Sequence, residues 1–449
     1  MKRSRATAAV VATLVAAGGL TACSSDGGGS GDDGPVTISV VQYQQTRIDA
    51  LQAEIPGFEA AMKAQGRDIK VDLVADVLTD EQFKTKITQQ LIAGDAPDLI
   101  DIGENLVPGF AGAGYLAPLE DDLEAWDGWD HYRPQFKDAM VRQDGSIYSL
   151  THDTGVYNLF YRKDVLTQLG IDTSQPETWD DLITRLEAVK EATGEAPIVV
   201  PAGAAWGGGT WAEGFQPILG GTDQDFYDAD SGTWDLDSGG FEAVFDLYAE
   251  LQSKGLLPTQ DLQNPNPWEP TKYDAFPAGT LPVAAQGSWG WKFDWGPEGQ
   301  APIPQLEDKV DTWQYPALRD GDQPFGWSPP GFGYAVPESS DHKDEALLLA
   351  EYLSTGEPLA RQLVASGAAS PRDDLADVEP LASEPKLLQA GDDLADSVFV
   401  PTGDGADQVS QAVATATELI LNGDADGEEA YDAFKKDATD LLGPALVKQ

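Results

Sequence analysis

The first part of the chain alternates strand-like and helix-like patterns of apolar residues. Three strand-like segments are separated by two helix-like ones, at residues 36–42, 47–65, 69–74, 80–92 and 97–102. Asp80 stands where an N-cap is expected, and Gly94 stands where the second helix is expected to end. This order predicts a parallel sheet flanked by helices, whose ligand loops follow Val41 and Ile102 at the carboxyl ends of strands.

The second part repeats the same alternation. Strand-like segments occupy residues 156–161 and 196–200, and helical patterns occupy 178–193, 241–254, 343–354, 406–421 and 428–442. Tryptophan, glycine and proline are concentrated between residues 206 and 333, and this composition favours ligand-facing loops over regular elements. A chain of 449 residues with 41% hydrophobic composition is expected to form two domains.

The N-terminus has the pattern of a secretory signal over residues 1–22. Three basic residues near the start precede an apolar stretch at 8–17 that is shorter than the roughly 20 residues of a membrane-spanning helix. Leu20-Thr21-Ala22-Cys23 resembles the lipobox of bacterial lipoproteins, which implies acylation of Cys23; the alternative is a stray cysteine in an uncleaved tail. Residues 23–35 are rich in glycine, serine and aspartate and are predicted to be a flexible tether.

Charge and residue types exclude several kinds of partner. The net charge of −48 repels nucleic acid and anionic membrane surfaces, so membrane contact is expected through the lipid anchor only. Cys23 is the single cysteine, so no disulfide is expected. No metal or other cofactor is predicted, because the histidines are far apart and the acidic clusters lack the spacing of a calcium loop. The histidines are His131, His152 and His342, and the acidic clusters are Asp121-Asp122 and Asp223-Gln224-Asp225.

A series of short segments resembles the carbohydrate-type solute-binding proteins of ABC importers, known as extracellular solute-binding protein family 1. The matching segments are 93–100, 114–119, 148–155, 159–164, 176–182, 275–280, Gly287-Ser288-Trp289 and 331–337. The resemblance implies a two-lobed α/β fold of the periplasmic-binding-protein type II, in which each lobe is a mainly parallel sheet flanked by helices and the lobes close about a hinge. By analogy, residues 36–153 and about 314–355 form the N-terminal lobe, and 154–313 and about 356–449 form the C-terminal lobe.

Aromatic side chains are the first candidates for a sugar site, because sugars present flat apolar faces with a rim of hydroxyls. Trp289 matches a family tryptophan that often forms the floor of the sugar site; the alternative is a core tryptophan. Trp206 and Trp211 flank a run of three glycines, and Trp327 precedes Pro329-Pro330-Gly331. For these three, ligand contact and ordinary packing are both open.

Polar candidates lie in the predicted loops and in the matching segments. Asp153 matches an acidic position of the family pattern, and a turn cap is its alternative. Glu104 and Asn105 follow the third strand, where the family usually has aspartate, and either residue has helix capping as its alternative. Further candidates are Gln44 and Gln45 after the first strand, Gly331 in a matching segment, and Arg372, which matches a family arginine but has a surface ion pair as its alternative.

The function that these features favour is capture of a sugar or short oligosaccharide outside the cytoplasm by a monomeric, lipid-anchored protein, and delivery to the permease of an ABC importer. A secreted glycoside hydrolase would also have tryptophans and carboxylates, but the chain carries no Gly-x-Ser-x-Gly, His-Glu-x-x-His or phosphate-binding motif. An adhesive surface lipoprotein is the third alternative, and it would not close on a ligand.

Overall fold

The computed structural model describes residues 34–142, 145–222, 226–228, 231–318, 322–328, 331–394, 397–398, 403 and 405–448. The signal segment, Cys23, nearly all of the tether and the 223–225 cluster lie outside these residues. Val36–Gln449 forms one compact unit. None of the helices in the described part is long and apolar enough to cross a membrane.

Helices are distributed along the whole described chain. They are α1 (Gln45–Ala64), α2 (Asp80–Ala93), α3 (Val107–Gly112), α4 (Glu120–Ala125), α5 (Pro134–Met140), α6 (Lys163–Leu169), α7 (Trp179–Thr193), α8 (Gln216–Leu219), α9 (Gly239–Ser253), α10 (Thr259–Leu262), α11 (Phe276–Ala278), α12 (Leu306–Lys309), α13 (Lys343–Leu353), α14 (Gly356–Ser366), α15 (Pro385–Asp393), α16 (Ala406–Asn422) and α17 (Gly427–Leu442).

Most strands are short. They are β1 (Val36–Gln42), β2 (Ile69–Ala75), β3 (Leu99–Gly103), β4 (Leu150–Thr151), β5 (Tyr157–Arg162), β6 (Ile198–Val199), β7 (Tyr227–Asp228), β8 (Thr233–Trp234), β9 (Val283–Gly287), β10 (Val310–Trp313), β11 (Gly326–Trp327), β12 (Phe332–Ala335) and β13 (Ser397–Val398). The elements predicted from periodicity are present, with ends that differ by a few residues.

The first sheet has the strand order β2-β1-β3-β12-β4. β1 is parallel to β2, with Val36 opposite Ile69, and it is also parallel to β3. The late strand β12 is antiparallel to β3 and β4, so a segment from far along the chain completes the sheet. Because β1 and β3 are parallel, the residues that follow them lie at the same edge of the sheet.

The second sheet has the order β13-β11-β5-β9-β6, and β10 also pairs with β5. β6 is parallel to β9, but β5 is antiparallel to β9, β10 and β11, so this sheet is mixed and not mainly parallel. The apolar pattern of β5 reveals its burial but not its direction, because a strand buried on both faces looks the same in either orientation.

The two sheets have separate hydrophobic cores. The larger core surrounds the second sheet and includes the buried aromatic residues Trp295, Trp327 and Phe245. The first sheet has two cores of its own, one with Phe58 and Tyr334 and one with Ile102. β11, at residues 326–327, pairs in the second sheet, and β12, at 332–335, pairs in the first. The lobe boundaries remain a prediction.

Helix ends follow local side-chain chemistry. α2 is capped by Thr79 and not by Asp80, which is the first helical residue. The Thr79 side chain accepts from the Gln82 backbone N–H, and the Gln82 side chain accepts from the Thr79 N–H, so two otherwise unpaired donors are satisfied. Gly94 ends the helix with a φ of 73°, in the left-handed region that glycine adopts without strain.

Candidate ligand-binding site

Polar side chains gather where β1 and β3 approach the segment that follows β4. The Gln42 amide donates to Asp101 Oδ2 at 2.6 Å, and its carbonyl oxygen accepts from the backbone N–H groups of Tyr43 and Gln44 at 2.6 and 2.8 Å. Gln42 and Asp101 are both buried. Gln42 therefore fixes the start of α1 relative to β3.

Asp153 is buried beside this network, and both of its carboxylate oxygens have partners. Oδ1 accepts from the Phe332 N–H at 3.0 Å, and Oδ2 forms an ion pair with Arg47 Nη1. Burial by itself would raise the pKa of Asp153, but the charges of Arg47 and His152, together with these hydrogen bonds, hold the pKa below its ordinary value. The carboxylate is therefore charged at neutral pH and held in one orientation.

Arg47 was not among the predicted site residues. Its Nε donates to Gln44 Oε1 at 3.0 Å, and its guanidinium carbon lies 4.0 Å from the centre of the Phe332 ring. Burial lowers its pKa, but Asp153 and Asp101 outweigh burial and raise it. A polar residue in the first turn of a helix that follows a strand is a signal that could have identified it.

Glu104 is buried, and its oxygens are occupied by protein groups. Ser149 Oγ and Thr151 Oγ1 each donate to the carboxylate at 2.8 Å, and Arg142 Nη2 lies 3.9 Å away. Burial raises the pKa of Glu104, although Arg142 and the hydroxyls oppose the rise. Asn105, the next residue, is exposed.

Trp289 is the second residue after β9 and is partly buried. Its ring meets the Tyr157 ring edge to face, with centres 5.0 Å apart and an angle of 85°. A Cβ placed on Gly155 would lie 2.9 Å from the Trp289 ring, so the indole rests against a backbone that only glycine leaves open. Gly155 is two residues after Asp153, so the ring and the carboxylate occupy the same part of the fold.

A second polar group lies at the carboxyl end of β9. Lys272 Nζ donates to Glu213 Oε2 at 2.8 Å and to Gln286 Oε1 at 2.9 Å. The same ammonium lies 5.1 Å from the centre of the Trp206 ring, and that ring meets Trp268 edge to face. Trp206 is nearly buried, whereas Trp268 is 37% exposed. The sequence did not single out Lys272, Glu213 or Trp268.

The Trp206 ring depends on the glycine run that follows it. A Cβ on Gly209 would lie 2.3 Å from the Trp206 indole, so any larger residue would displace the ring. Glu213 has one oxygen paired with Lys272, and its side chain is 25% exposed. The arrangement combines a carboxylate, an ammonium and aromatic edges, which are the groups that bind sugar hydroxyls and ring faces.

Asp294 lies behind this second group. Its pKa is raised to about 6, mainly by burial, with Lys272 and hydrogen bonds from Tyr273 and Gln286 opposing the rise. The Tyr273 hydroxyl donates at 3.1 Å, and the Gln286 amide also donates to the carboxylate. Through Gln286, Asp294 is linked to Lys272.

The remaining aromatic candidates lie in the core. Trp211 is buried and stacks on Phe215, and Trp327 is fully buried in β11. In this conformation neither offers a ring face to a ligand. Gly331 packs against the Asp153 backbone, where a Cβ would lie 2.0 Å from the carbonyl oxygen, so it supports the site through the backbone.

Arg372 and Gln45 are held by other protein groups. Arg372 is buried, forms a two-pronged ion pair with Asp374 at 2.7 and 2.9 Å, and donates to the Gly128 carbonyl at 2.7 Å. The exposed Gln45 side chain donates to Asp49 at 2.7 Å. The structure thus brings Gln44, Asp153, Gly331 and Trp289 close to one another in the fold, and leaves ligand contact by Arg372 and Gln45 as a prediction.

One histidine stands next to two carboxylates at the surface. His131 Nδ1 is 3.4 Å from Asp373 and 3.9 Å from Asp374, and all three residues are exposed. Asp374 already pairs with Arg372, and no other described group at this place points to a bound ion. We therefore assign no metal to it.

Comparison with known proteins identifies related sequences. The family described as "Bacterial extracellular solute-binding protein" matches residues 44–358. The arabinooligosaccharide-binding protein of Halalkalibacterium halodurans is 30% identical over 139 residues, which cover 30% of each chain. The diacetylchitobiose binding protein DasA of Streptomyces coelicolor is 27% identical over 207 residues, covering 44% of this chain and 46% of DasA. The matches thus span less than half the length of these curated relatives.

Solved structures resemble the fold over most of the chain. The GacH receptor of Streptomyces glaucescens is 19% identical with a TM-score of 0.73, covering 91% of this chain and 99% of GacH. The sugar-binding protein MalE of Xanthomonas citri is 21% identical with a TM-score of 0.74, covering 91% and 97%. At these identities the likeness establishes the two-lobed fold predicted from the sequence.

Proposed function

Because the chain belongs to the bacterial extracellular solute-binding protein family, we propose that it captures a sugar or short oligosaccharide and delivers it to the permease of an ABC importer. The family acts outside the cytoplasm. The relatives are named for binding arabinooligosaccharide and diacetylchitobiose, and these names support a carbohydrate ligand for this chain. Anchoring through a lipid on Cys23 and a monomeric state belong to the same proposal.

The observation that carries the proposal is the meeting of an aromatic ring and a fixed charged pair at residues 153–155. Asp153 and Arg47 offer an acceptor and donors held in one orientation, and Trp289 lies against Gly155. A sugar needs a ring face for its CH groups and oriented polar groups for its hydroxyls. Asp153 and Gly155, against which the Trp289 ring lies, are two residues apart, so the ring face and the polar groups lie at the same segment.

The chain around Asp153 connects the two sheets. β4 ends at Thr151 in the first sheet, and β5 begins at Tyr157 in the second. A ligand held by Arg47 on one side and by Trp289 on the other would make its full set of contacts only when the lobes are closed. Ligand binding would then populate the closed form, because only that form makes both sets of contacts.

The alternative functions differ in the event that comes after ligand binding. The family and the named relatives are binding proteins and not enzymes, which argues against a glycoside hydrolase. An adhesive protein would bind glycan without lobe closure. Small-angle scattering with and without a ligand that binds separates adhesion from transport, because closure makes the molecule more compact.

The proposal is tested by a thermal-shift screen of the purified chain against mono- and oligosaccharides. A ligand at 100 times its Kd adds about 2.7 kcal/mol of stability, which raises Tm measurably. The shift should be lost in Trp289→Ala and kept in Trp129→Ala, a partly buried tryptophan that packs on Tyr132. Release of a hydrolysis product, or an equal loss in both variants, would reject the proposal.

A further inference from the structure

His152 is buried between two carboxylates. Its Nε2 lies 3.0 Å from Asp101 Oδ1, and its Nδ1 lies 3.6 Å from Asp153 Oδ2. The side chain is 1% exposed, and the imidazole stacks on the Tyr334 ring with centres 4.2 Å apart. Among the residues that the structure describes, Nδ1 has no hydrogen-bond partner.

Neither neutral form of the imidazole fits these surroundings. If only Nε2 carries a proton, the lone pair of Nδ1 faces the negative oxygen of Asp153 in a buried environment that screens the repulsion poorly. If only Nδ1 carries a proton, the lone pair of Nε2 faces Asp101 at hydrogen-bond distance. The imidazolium places an N–H toward each carboxylate, so it is the form that matches both sides.

The charges of the neighbouring side chains also favour the imidazolium form of His152. Asp101 and Asp153 carry two negative charges, and Arg47 supplies one positive charge through its pair with Asp153. A neutral His152 would leave one buried charge uncompensated, which is costly in a low-dielectric interior, whereas an imidazolium makes the four residues neutral.

The other charged groups that the structure describes near His152 are already paired or carry no charge. Glu104, after β3, accepts from Ser149 and Thr151 and lies 3.9 Å from Arg142. Tyr334, on β12, has its hydroxyl 2.6 Å from Gln362, to which it donates. Burial raises the pKa of Tyr334 well above its ordinary value, so the tyrosine stays neutral. The net charge of this buried group is therefore set by Arg47, Asp101, His152 and Asp153.

We propose that His152 is a positioning residue, which carries its charge as an imidazolium and holds Asp101 and Asp153 in the arrangement that binds the ligand. The proposal rests on the proposed function, because the arrangement matters only if Asp153 and Arg47 meet a ligand. Loss of the proton leaves one excess negative charge, which attracts Arg47 more strongly and withdraws its donors from the ligand. Ligand affinity is then linked to protonation of His152.

The first test needs no ligand. The chain contains three histidines, so long-range ¹⁵N–¹H spectra of the histidine-labelled full chain resolve each imidazole, and His152→Gln assigns the signal. At neutral pH both nitrogens of His152 should be protonated. A single neutral tautomer at His152 would overturn the proposal, whether or not a sugar ligand has been found.

The second test measures Kd for the sugar found in the thermal-shift screen at pH values below and above the pH at which the spectra of the first test show His152 losing its proton. Wild type should bind about tenfold more tightly at the acid end, a difference of about 1.4 kcal/mol. His152→Gln should give a flat profile at the weaker value, and His131→Gln, at an exposed site, should follow wild type. An unchanged profile in His152→Gln would refute the positioning role, whereas a chain that binds no sugar would refute the proposed function alone.

Discussion

Arg47 and Asp153, 106 residues apart in the chain, form a buried ion pair that joins the first turn of α1 to the segment between the two sheets. The Arg47 side chain is 12% exposed and that of Asp153 is 4% exposed. Because both side chains are largely shielded from water, the pair couples the geometry of the two segments. A change to either residue should therefore disturb both segments.

Removing one partner of the Arg47–Asp153 pair should destabilise the protein strongly. Arg47→Met leaves the Asp153 charge buried and less compensated, which costs about 3 to 5 kcal/mol in comparable pairs. The free energy of unfolding in urea measures this loss. Adding Asp153→Asn should restore part of it, because no carboxylate then remains buried at this position. Lys436→Met, which breaks an exposed pair with Asp440, should leave the unfolding midpoint unchanged. Equal effects at the two sites would contradict the prediction.

Gly155→Ala should weaken sugar binding by displacing the Trp289 ring. The new Cβ would lie 2.9 Å from a ring carbon, closer than ordinary van der Waals contact allows. Overpacking of this kind costs about 1 to 3 kcal/mol, so Kd measured by calorimetry should rise while the fold survives. Gly109→Ala, where a Cβ meets no atom of the described residues within 4 Å, is the matched control. Unaltered affinity in Gly155→Ala would mean that Trp289 does not need this position to bind the sugar.

Asp294 should make the protein less stable as the pH rises from about 4 to about 6. Its folded pKa is about 6, above the unfolded value near 3.9, so the folded state holds a proton that the unfolded state has lost. Its favourable contribution is complete below the unfolded pKa and disappears as pH rises through the folded pKa, a change of about 3 kcal/mol. Urea unfolding measured across this range should show a smaller decline in Asp294→Asn. Asp237→Asn, at a side chain that is 90% exposed, is the control.

Thr79→Ala should cost about 1 kcal/mol, because it removes one half of the capping box of α2. The loss should appear in the free energy of unfolding and in faster amide hydrogen exchange at the start of the helix. Thr79→Ser, which keeps the hydroxyl, should retain most of the stability. If Asp80→Ala proved the more damaging change, Asp80 and not Thr79 would be the important residue at this helix start.

Much of the fold could be predicted because periodicity is a local property. Apolar spacing identified β1, α7 and α16 within a few residues of their bounds. The N-cap of α2 was assigned one residue too late, because Thr79 and Asp80 are both good caps and only the backbone geometry distinguishes them. The direction of β5 could not be predicted, since burial patterns carry no information about strand orientation.

The candidate site was predictable in part. Asp153 and Trp289 were predicted as site residues from the resemblance to a family, and the structure places the Trp289 ring against Gly155, two residues after Asp153. Trp206, Trp211 and Trp327 could not be ranked, because a tryptophan in a glycine-rich segment has the same sequence pattern whether it faces the core or a ligand. Arg47, Lys272 and His152 gain their roles from partners that are distant in the chain.

The family, the α/β class and most element positions could be predicted from the residues alone, because they depend on residue types and spacings within short segments. Which charges are buried together follows from the folded arrangement. The pairing of Arg47 with Asp153, and the position of His152 between Asp101 and Asp153, arise when β1, β3 and β12 meet with the segment after β4. The strength of a charge interaction depends on distance and on exclusion of water, and folding sets both.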